Sequence, residues 1–332
     1  TTLGGFLAAS TTDFVQSIVM TLAIVVVFGF GIGKVGSFDA VMENAKSMAG
    51  YFSLTQIYDP ATNSAAPYGL LTIFSMLAWG LGYFGMPHVL LRFMAIEDAK
   101  KLKLSRRVAT IWVVISMVIA VFIGVIGNAM SKAGVIPVLD DPETIILVVA
   151  DLISRHGFLA AIVAGLILAG ILAATMSTAD SQLLAASSSA SQNILKEVFM
   201  KDMSEKTGML IARITVLIIA LIGVFIARDP NSSVFQIVSF AWAGFGASFG
   251  PLVLMALFWK RSTLQGALAG MVSGGVMVFV WKFLIRPMGG ALGIYELLPA
   301  FLVGLAVNVI VSLLTPAPSK EIQDEFEKVA KM

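Results

Sequence analysis

Cysteine is absent from the 332 residues, which removes disulfide frameworks, thiolate zinc sites and cysteine nucleophiles together and leaves the redox compartment open. Histidine is nearly absent. His88 and His156 are too few and too far apart to make a metal cluster without carboxylates, so any metal chemistry must use oxygen. Charge is scarce at 13% Asp, Glu, Lys and Arg, and the net charge of +2 comes without a long basic run. That leaves no footprint for nucleic acid. The chain opens Thr1-Thr2-Leu3 with no methionine and no basic leader or cleavage site, and it reads as an internal fragment whose upstream helices lie elsewhere.

Apolar residues dominate what remains: 58% of the chain is hydrophobic and the mean hydropathy is +0.92. One soluble core could not hide so much, so lipid must be the solvent for much of it. A helix needs about 20 apolar residues to cross the hydrocarbon. Eight stretches meet that rule, at 4–32, 68–94, 108–131, 157–194, 208–227, 233–258, 264–285 and 297–315. They are too uniformly apolar for barrel strands, whose two faces alternate. The expected fold is all-α, a polytopic membrane helix bundle, with 1–315 as the transmembrane domain and 316–332 as a cytoplasmic tail. No internal repeat is visible by eye, and no obligatory protein partner is indicated.

Alternating the spans places Arg92, Lys100, Lys101, Lys103, Arg106, Arg107, Lys196, Lys201, Lys206, Arg213, Lys260, Arg261, Lys320, Lys328 and Lys331 on one side, 15 of the 22 basic residues. By the positive-inside bias that side is cytoplasmic. The long link 33–67 is then external. Residues 143–154 are too short to span and carry Glu143 and Asp151, so they are expected as an external interfacial helix.

Two segments carry chemistry. The second span reads Ala78-Trp79-Gly80-Leu81-Gly82-Tyr83-Phe84-Gly85-Met86-Pro87-His88, with three glycines and a proline in mid-membrane. Pro87 lacks a backbone donor and crowds the preceding turn, so the helix is expected to break and free polar backbone for a cavity. Trp79, Tyr83 and Pro87 recur every fourth residue and would share one stripe. Close helix packing accounts for the glycines equally well. In the fourth span, Ala174, Ser177, Thr178 and Ser181 fall at i, i+3, i+4 and i+7, so a carbonyl and three hydroxyls share a face. Hard cations take such oxygens, and a monovalent ion could be held and released without a full carboxylate cage. Sodium fits. The alternative is that these hydroxyls bond their own helix or glue neighbouring helices, the role assigned to Ser187, Ser188, Ser189 and Ser191.

Asp13 and Asp180 are carboxylates inside spans, costly unless they face a cavity or a partner. Asp13, following Ser10, Thr11 and Thr12, could instead be a helix N-cap. Asp180 lies about 60° around the helix from Ser177 and could instead make a buried hydrogen bond to another helix. A second glycine-rich aromatic stretch, Phe240 to Pro251 with Trp242 at its centre, could form a cavity wall, although packing explains it too. His88 and Arg92 read as interfacial anchors.

At WGLGYFGMPHVLLRFMAI, ILAATMSTADSQLLAASS and SFAWAGFGASFGPLVL, with GGFLAASTTDFVQ at the start and ALAGM and GIYELLPAF late, the chain closely resembles the bacterial sodium/proline symporters of the sodium:solute symporter family. The match covers about the last two thirds of a typical member. The resemblance implies a leucine-transporter-like fold of two inverted five-helix repeats: the first span here would close the first repeat, spans two to six would form the second, and the last two would be extensions. It also implies one sodium position at Ala174, Ser177 and Thr178, a second at Asp13, Ser177, Asp180 and Ser181, and contacts between proline and Trp79, Tyr83 and Pro87. Trp242 joins that set as a wall of the solute cavity. Met86 stands where another proline symporter carries glutamine, which bears on fine selectivity.

The function implied is sodium-coupled symport of L-proline into the cell by alternating access, in the bacterial cytoplasmic membrane, with sodium cotransported and no enzymatic activity. Three rivals stand beside it, one within transport and two from other classes. The same scaffold could read another small carboxylate or organic solute. An intramembrane aspartyl protease would use Asp13 and Asp180, but Asp180 lies between Ala179 and Ser181 without the glycine flank expected of that class. A sensor would need an output module, which the tail from Thr315 does not offer.

Overall fold

The computed structural model describes residues 4–199, 204–228 and 234–330. The expected link 228–232, the first residue of the expected sixth span, and Lys201 and Lys331 of the charge argument lie wholly or in part outside these residues. The chain folds as two compact units, Thr1–Pro67 with Ile96–Val224 and Tyr68–Ala95 with Phe225–Met332.

In the first unit, α1 (Gly5–Val35) runs 31 residues, about 46 Å at 1.5 Å per residue and longer than a ~30 Å hydrocarbon core. Gly36 ends it at φ 111°, its N–H donating to Ile32 O at 3.0 Å; that φ suits a residue without a Cβ. Ser37 then caps α2 (Phe38–Ser47), its hydroxyl accepting from Ala40 N at 3.1 Å. The expected external link thus holds a short helix with Val41 and Ala45 fully buried. It also holds a hairpin, β1 (Gln56–Asp59) against β2 (Ser64–Pro67), antiparallel with Asp59 opposite Ser64. The Asp59 carboxylate accepts from Ala61 N and from the Thr62 hydroxyl, at 2.9 and 2.7 Å, and Asn63 turns the chain at φ 51°.

The unit continues with α6 (Leu102–Lys132), α7 (Ile145–Ser154), α8 (Phe158–Ser188) and α9 (Glu205–Ile226). Between α8 and α9, α8 passes into a π-helical segment, Ser189–Phe199. The segment 143–154 expected as a short helix holds α7, with Val149, Ala150 and Ile153 buried. The core gathers Ala23, Val27, Ile126, Met130, Val149 and Ile167. At one end Lys34 Nζ meets His156 Nε2 at 2.9 Å, Asn44 meets Asn128 at 2.9 Å and Lys132 meets Ser47 at 3.5 Å. These are the ends that the alternation of spans assigns to one side.

The second unit opens with the broken span: α3 (Leu70–Leu77), α4 (Trp79–Gly82), a 3-10 turn at Tyr83–Gly85 and α5 (Pro87–Met94). The two arms, Leu70–Gly85 and Pro87–Met94, are bent by 47°. Met86 between them is extended, at φ −78° and ψ 113°, as the residue before a proline prefers, and Pro87 opens α5 where its missing N–H costs nothing. Next come α10 (Val234–Phe258), α11 (Leu264–Val280) with a π-helical continuation at Trp281–Ile285, α12 (Leu297–Leu314) and α13 (Lys320–Ala330). Gly266, Gly270 and Gly274 repeat every fourth residue along α11. A Cβ on Gly270 would lie 2.7 Å from Gly304 O and 2.8 Å from Asn308 Cβ, so the stripe lets α12 approach as small residues do between membrane helices.

Among the described residues, seven helices are long and apolar enough to cross a membrane, and the bent pair makes an eighth if counted as one span. Their outer faces remain apolar: in α9, Leu217, Ile218, Leu221, Val224 and Phe225 are all more than half exposed. That pattern suits lipid, not water.

Candidate functional site

In the first unit the oxygen-bearing stripe of α8 lies where the spacing predicts. Ser177 Oγ donates to Ala174 O at 3.1 Å, Thr178 Oγ1 donates to the same carbonyl at 3.3 Å, and Ser181 Oγ donates to Ser177 O at 2.9 Å. The back-bonding weighed as an alternative is therefore present. It does not exclude a ligand role. A hydroxyl whose proton is turned to its own backbone offers only lone pairs outward, the polarity a cation needs. The Ala174 carbonyl, by contrast, is already accepting from two hydroxyls.

The facing helix sets the level of Asp13. A Cβ on Gly170 would lie 2.6 Å from Ala23 Cβ and 3.7 Å from Met20 Cα, and His156 meets Lys34, so α1 and α8 run antiparallel in close contact. Seven residues on from Gly170 is Ser177, and seven back from Met20 is Asp13. Counted from Ala23 the same step reaches Gln16, so Asp13 and Gln16 lie within a turn of the level of Ser177, ~10 Å along the axes from the glycine contact. Asp13 is in the third turn of a helix that begins at Gly5, which removes the N-cap reading. Its Oδ1 is shielded from solvent. Asp180 is half-buried. Of the serines assigned to helix glue, Ser187 bonds Ala212 O on α9 at 2.8 Å.

Gln16 adds a polar group that no motif in the sequence marks. It lies one turn from Asp13 on the same face, and its Oε1 is buried with no hydrogen-bond partner among the described residues. The i+3 spacing in the run Thr12-Asp13-Phe14-Val15-Gln16 was the available signal.

In the second unit the aromatic residues of the broken span meet α10. The Trp242 indole N–H donates to Trp79 O at 3.0 Å, and the Trp242 ring meets Tyr83 edge-on at 4.8 Å between centroids. The half-buried Trp79 ring is flanked by Phe235 at 5.3 Å, Trp242 at 5.7 Å and Tyr295 at 5.9 Å, all within 30° of parallel. Tyr83 is 58% exposed and presents the open ring. The glycines serve packing as well: a Cβ on Gly82 would overlap the Trp242 indole, and one on Gly85 would press on Phe245 O. The break and the close approach are thus one feature of the same glycines. Pro87 is half-buried at the break and Met86 is buried. Tyr295, inside the GIYELLPAF segment, and Phe235 are distant in sequence from Trp79 and carry no spacing signal that pairs them with it.

A polytopic bundle of membrane-length helices, one of them interrupted, is the architecture of a leucine-transporter-like fold. A solved structure of a Na+-coupled sialic acid symporter in a substrate-bound, outward-open state shares the fold, with a TM-score of 0.68 at 16% identity over 96% of this chain and 65% of that one. The chain belongs to the sodium:solute symporter family, whose model matches residues 1–274; this is a family of symporters, not of enzymes. Similar proteins include the osmoregulated proline transporter OpuE of Bacillus subtilis, 37% identical over 333 residues. The sodium/proline symporter of Haemophilus influenzae is 38% identical over 337 residues. The high-affinity proline transporter PutP of Bacillus subtilis is 39% identical over 330 residues. Each alignment covers 98% or more of this chain and 64 to 65% of the relative, so the chain spans just under two thirds of their length.

Proposed function

We propose that this protein couples the sodium gradient to the import of proline across the bacterial cytoplasmic membrane by alternating access. The oxygens of Ser177, Thr178, Ser181, Asp180 and Asp13 receive sodium as a cotransported substrate, the Ala174 carbonyl joining them when the two hydroxyls that donate to it turn away, and Trp79, Tyr83, Pro87 and Trp242 receive the imino acid. Support for the solute comes from relatives named as proline transporters at 37 to 39% identity.

The observation that carries the ion reading is the pair of hydroxyls on Ser177 and Thr178, both turned to Ala174 O and so offering lone pairs outward at the level of Asp13. Coupling requires only that each ligand favour the same conformational state; about 1.4 kcal/mol of differential binding makes a tenfold effect. The test is labelled-proline uptake by the full-length protein in vesicles. Uptake should follow an imposed sodium gradient and lose that dependence with Ser177→Ala plus Thr178→Ala. Uptake indifferent to sodium, or unchanged in the double variant, refutes the proposal. Competition by other small carboxylates tests the solute, since a stronger competitor than proline would reassign it.

A further inference from the structure

The stretch that joins α11 to α12, which holds the start of the GIYELLPAF segment and has no part in the proposed function, closes on the broken span at Ser75 and Trp79. Tyr295 is 6% exposed. Its N–H donates to Ser75 Oγ on α3 at 3.0 Å, its phenol O–H donates to Ser239 O on α10 at 2.5 Å, and its ring lies on Trp79 with 20° between planes. The residues on either side are fixed as well. Ile294 O accepts from the Trp281 indole at 3.2 Å. Glu296, 1% exposed, receives Arg286 Nη1 at 2.7 Å and has Lys282 Nζ 3.7 Å away. Filling space would need none of these bonds. A leucine could bury as much apolar surface without leaving a phenol to be satisfied. What the tyrosine adds is a flat ring with two side-chain torsions, both restrained, laid against the indole of Trp79.

We propose that Tyr295 is a positioning residue of the solute site: it holds the Trp79 indole in the orientation that receives the solute, and so sets solute affinity without touching the solute. This rests on the reading of Trp79 as a solute contact. The physical basis is preorganisation, in which a side chain ordered before binding loses less freedom on binding. The expected signature is a change in solute affinity with maximal rate and sodium requirement intact.

The experiment is proline binding and uptake by the full-length protein in proteoliposomes for Tyr295→Phe, Tyr295→Leu, Trp79→Leu and the double variant. Tyr295→Phe keeps the ring and loses the bond to Ser239, and should raise the KM for proline about fivefold, the effect of one ordinary hydrogen bond. Tyr295→Leu should raise it further. Maximal rate and sodium half-saturation should stay at wild-type values in both, and in the Trp79→Leu background Tyr295→Leu should have no added effect on affinity. An unchanged KM in Tyr295→Leu overturns the proposal. So does an equal loss in the Trp79→Leu background, which would show a route other than Trp79, or a fall in maximal rate and sodium affinity together, which would mark a structural lesion. Should Tyr295→Leu fail to fold, Tyr295→Phe alone decides by the same split. If Trp79→Leu itself leaves proline affinity unchanged, the solute reading fails first and takes this inference with it.

Discussion

The indole N–H of Trp242 donates to the backbone carbonyl of Trp79 at 3.0 Å, tying the interrupted span to α10 through a side chain. The bond exists because Gly82 lets the indole lie against the helix backbone: a Cβ there would overlap Trp242 Nε1 and Cδ1. Backbone break, glycine and tryptophan are thus one device.

Gly82→Ala should therefore destabilise the protein by about 1–3 kcal/mol, the usual cost of overpacking against a rigid neighbour, and weaken proline uptake. Gly80→Ala is the matched control, since a Cβ at Gly80 meets nothing within 4 Å; it should leave both unchanged. Thermal unfolding of the purified protein and uptake in vesicles measure the contrast. Equal effects at the two positions would refute the account.

The contact of Gly170 with Ala23 sets the distance between α1 and α8, and with it the separation of Asp13 from Ser177. Gly170→Ala would place two Cβ atoms 2.6 Å apart, so the helices must part. Sodium half-saturation of uptake should rise several-fold and stability should fall by about 1–3 kcal/mol. Gly170→Ala with Ala23→Gly moves the methyl group from one helix to the other and should restore both. Gly165→Ala, with open space at its Cβ, should change neither.

How much of this was legible in the sequence depends on the range of each signal. The spans were legible because apolar runs of bilayer length are a local property, and the break at Met86-Pro87 because proline and glycine act on their own backbone. The face shared by Ser177, Thr178 and Ser181 followed from helix periodicity alone. What pairs across helices was not legible. That Gly170 meets Met20 and Ala23, which brings Asp13 and Gln16 to within a turn of the level of Ser177, depends on the register of two helices far apart in the chain, and no periodicity encodes it. The stacking of Trp79 on Tyr295 is of the same kind. The hairpin at 56–67 was not legible because its strands are four residues each with no apolar alternation, so the turn chemistry at Asp59, Thr62 and Asn63 has no strand signal on either side.

That hairpin gives a pH test. The Thr62 hydroxyl, followed by the Ala61 N–H, holds the Asp59 carboxyl below its usual range. A depressed folded pKa contributes stability above the unfolded value, about 3.9, and loses it as pH falls through the folded value. Local protection of the hairpin amides should be full at neutral pH and decline below about pH 4, and Asp59→Asn should flatten the dependence. Hydrogen exchange of the segment 56–67 reads it, and an identical pH profile in the variant would contradict the assignment.

Tyr295 has the opposite sign. Burial, reinforced by the nearby Glu296 carboxylate, pushes its phenol well above the ordinary value. A raised folded pKa means a contribution fully present below the unfolded value, about 10, and lost as pH rises toward the folded one. The O–H donor to Ser239 therefore persists through the whole physiological range. Ultraviolet phenolate titration of wild type against Tyr295→Phe should show one tyrosine fewer ionising only at the alkaline extreme; a difference near pH 10 would mean the ring is not enclosed.

The sharpest test of the ion stripe separates the oxygen from the volume of the side chain. Thr178 is exposed at the surface of α8, so replacing it perturbs little packing, and Thr178→Val keeps the shape while removing the hydroxyl. Thr178→Ser does the reverse, keeping the oxygen that donates to Ala174 O and deleting a methyl group. If the lone pairs of that oxygen receive sodium, Thr178→Val should raise the sodium half-saturation of proline uptake at least tenfold, equivalent to about 1.4 kcal/mol, and Thr178→Ser should stay close to wild type. Stability should hardly differ between the two, because a back-bonding hydroxyl on an exposed face adds little to its helix. Should valine instead behave like wild type and serine lose sodium affinity, the methyl group would be the element that matters and the oxygen stripe would have no claim on the ion.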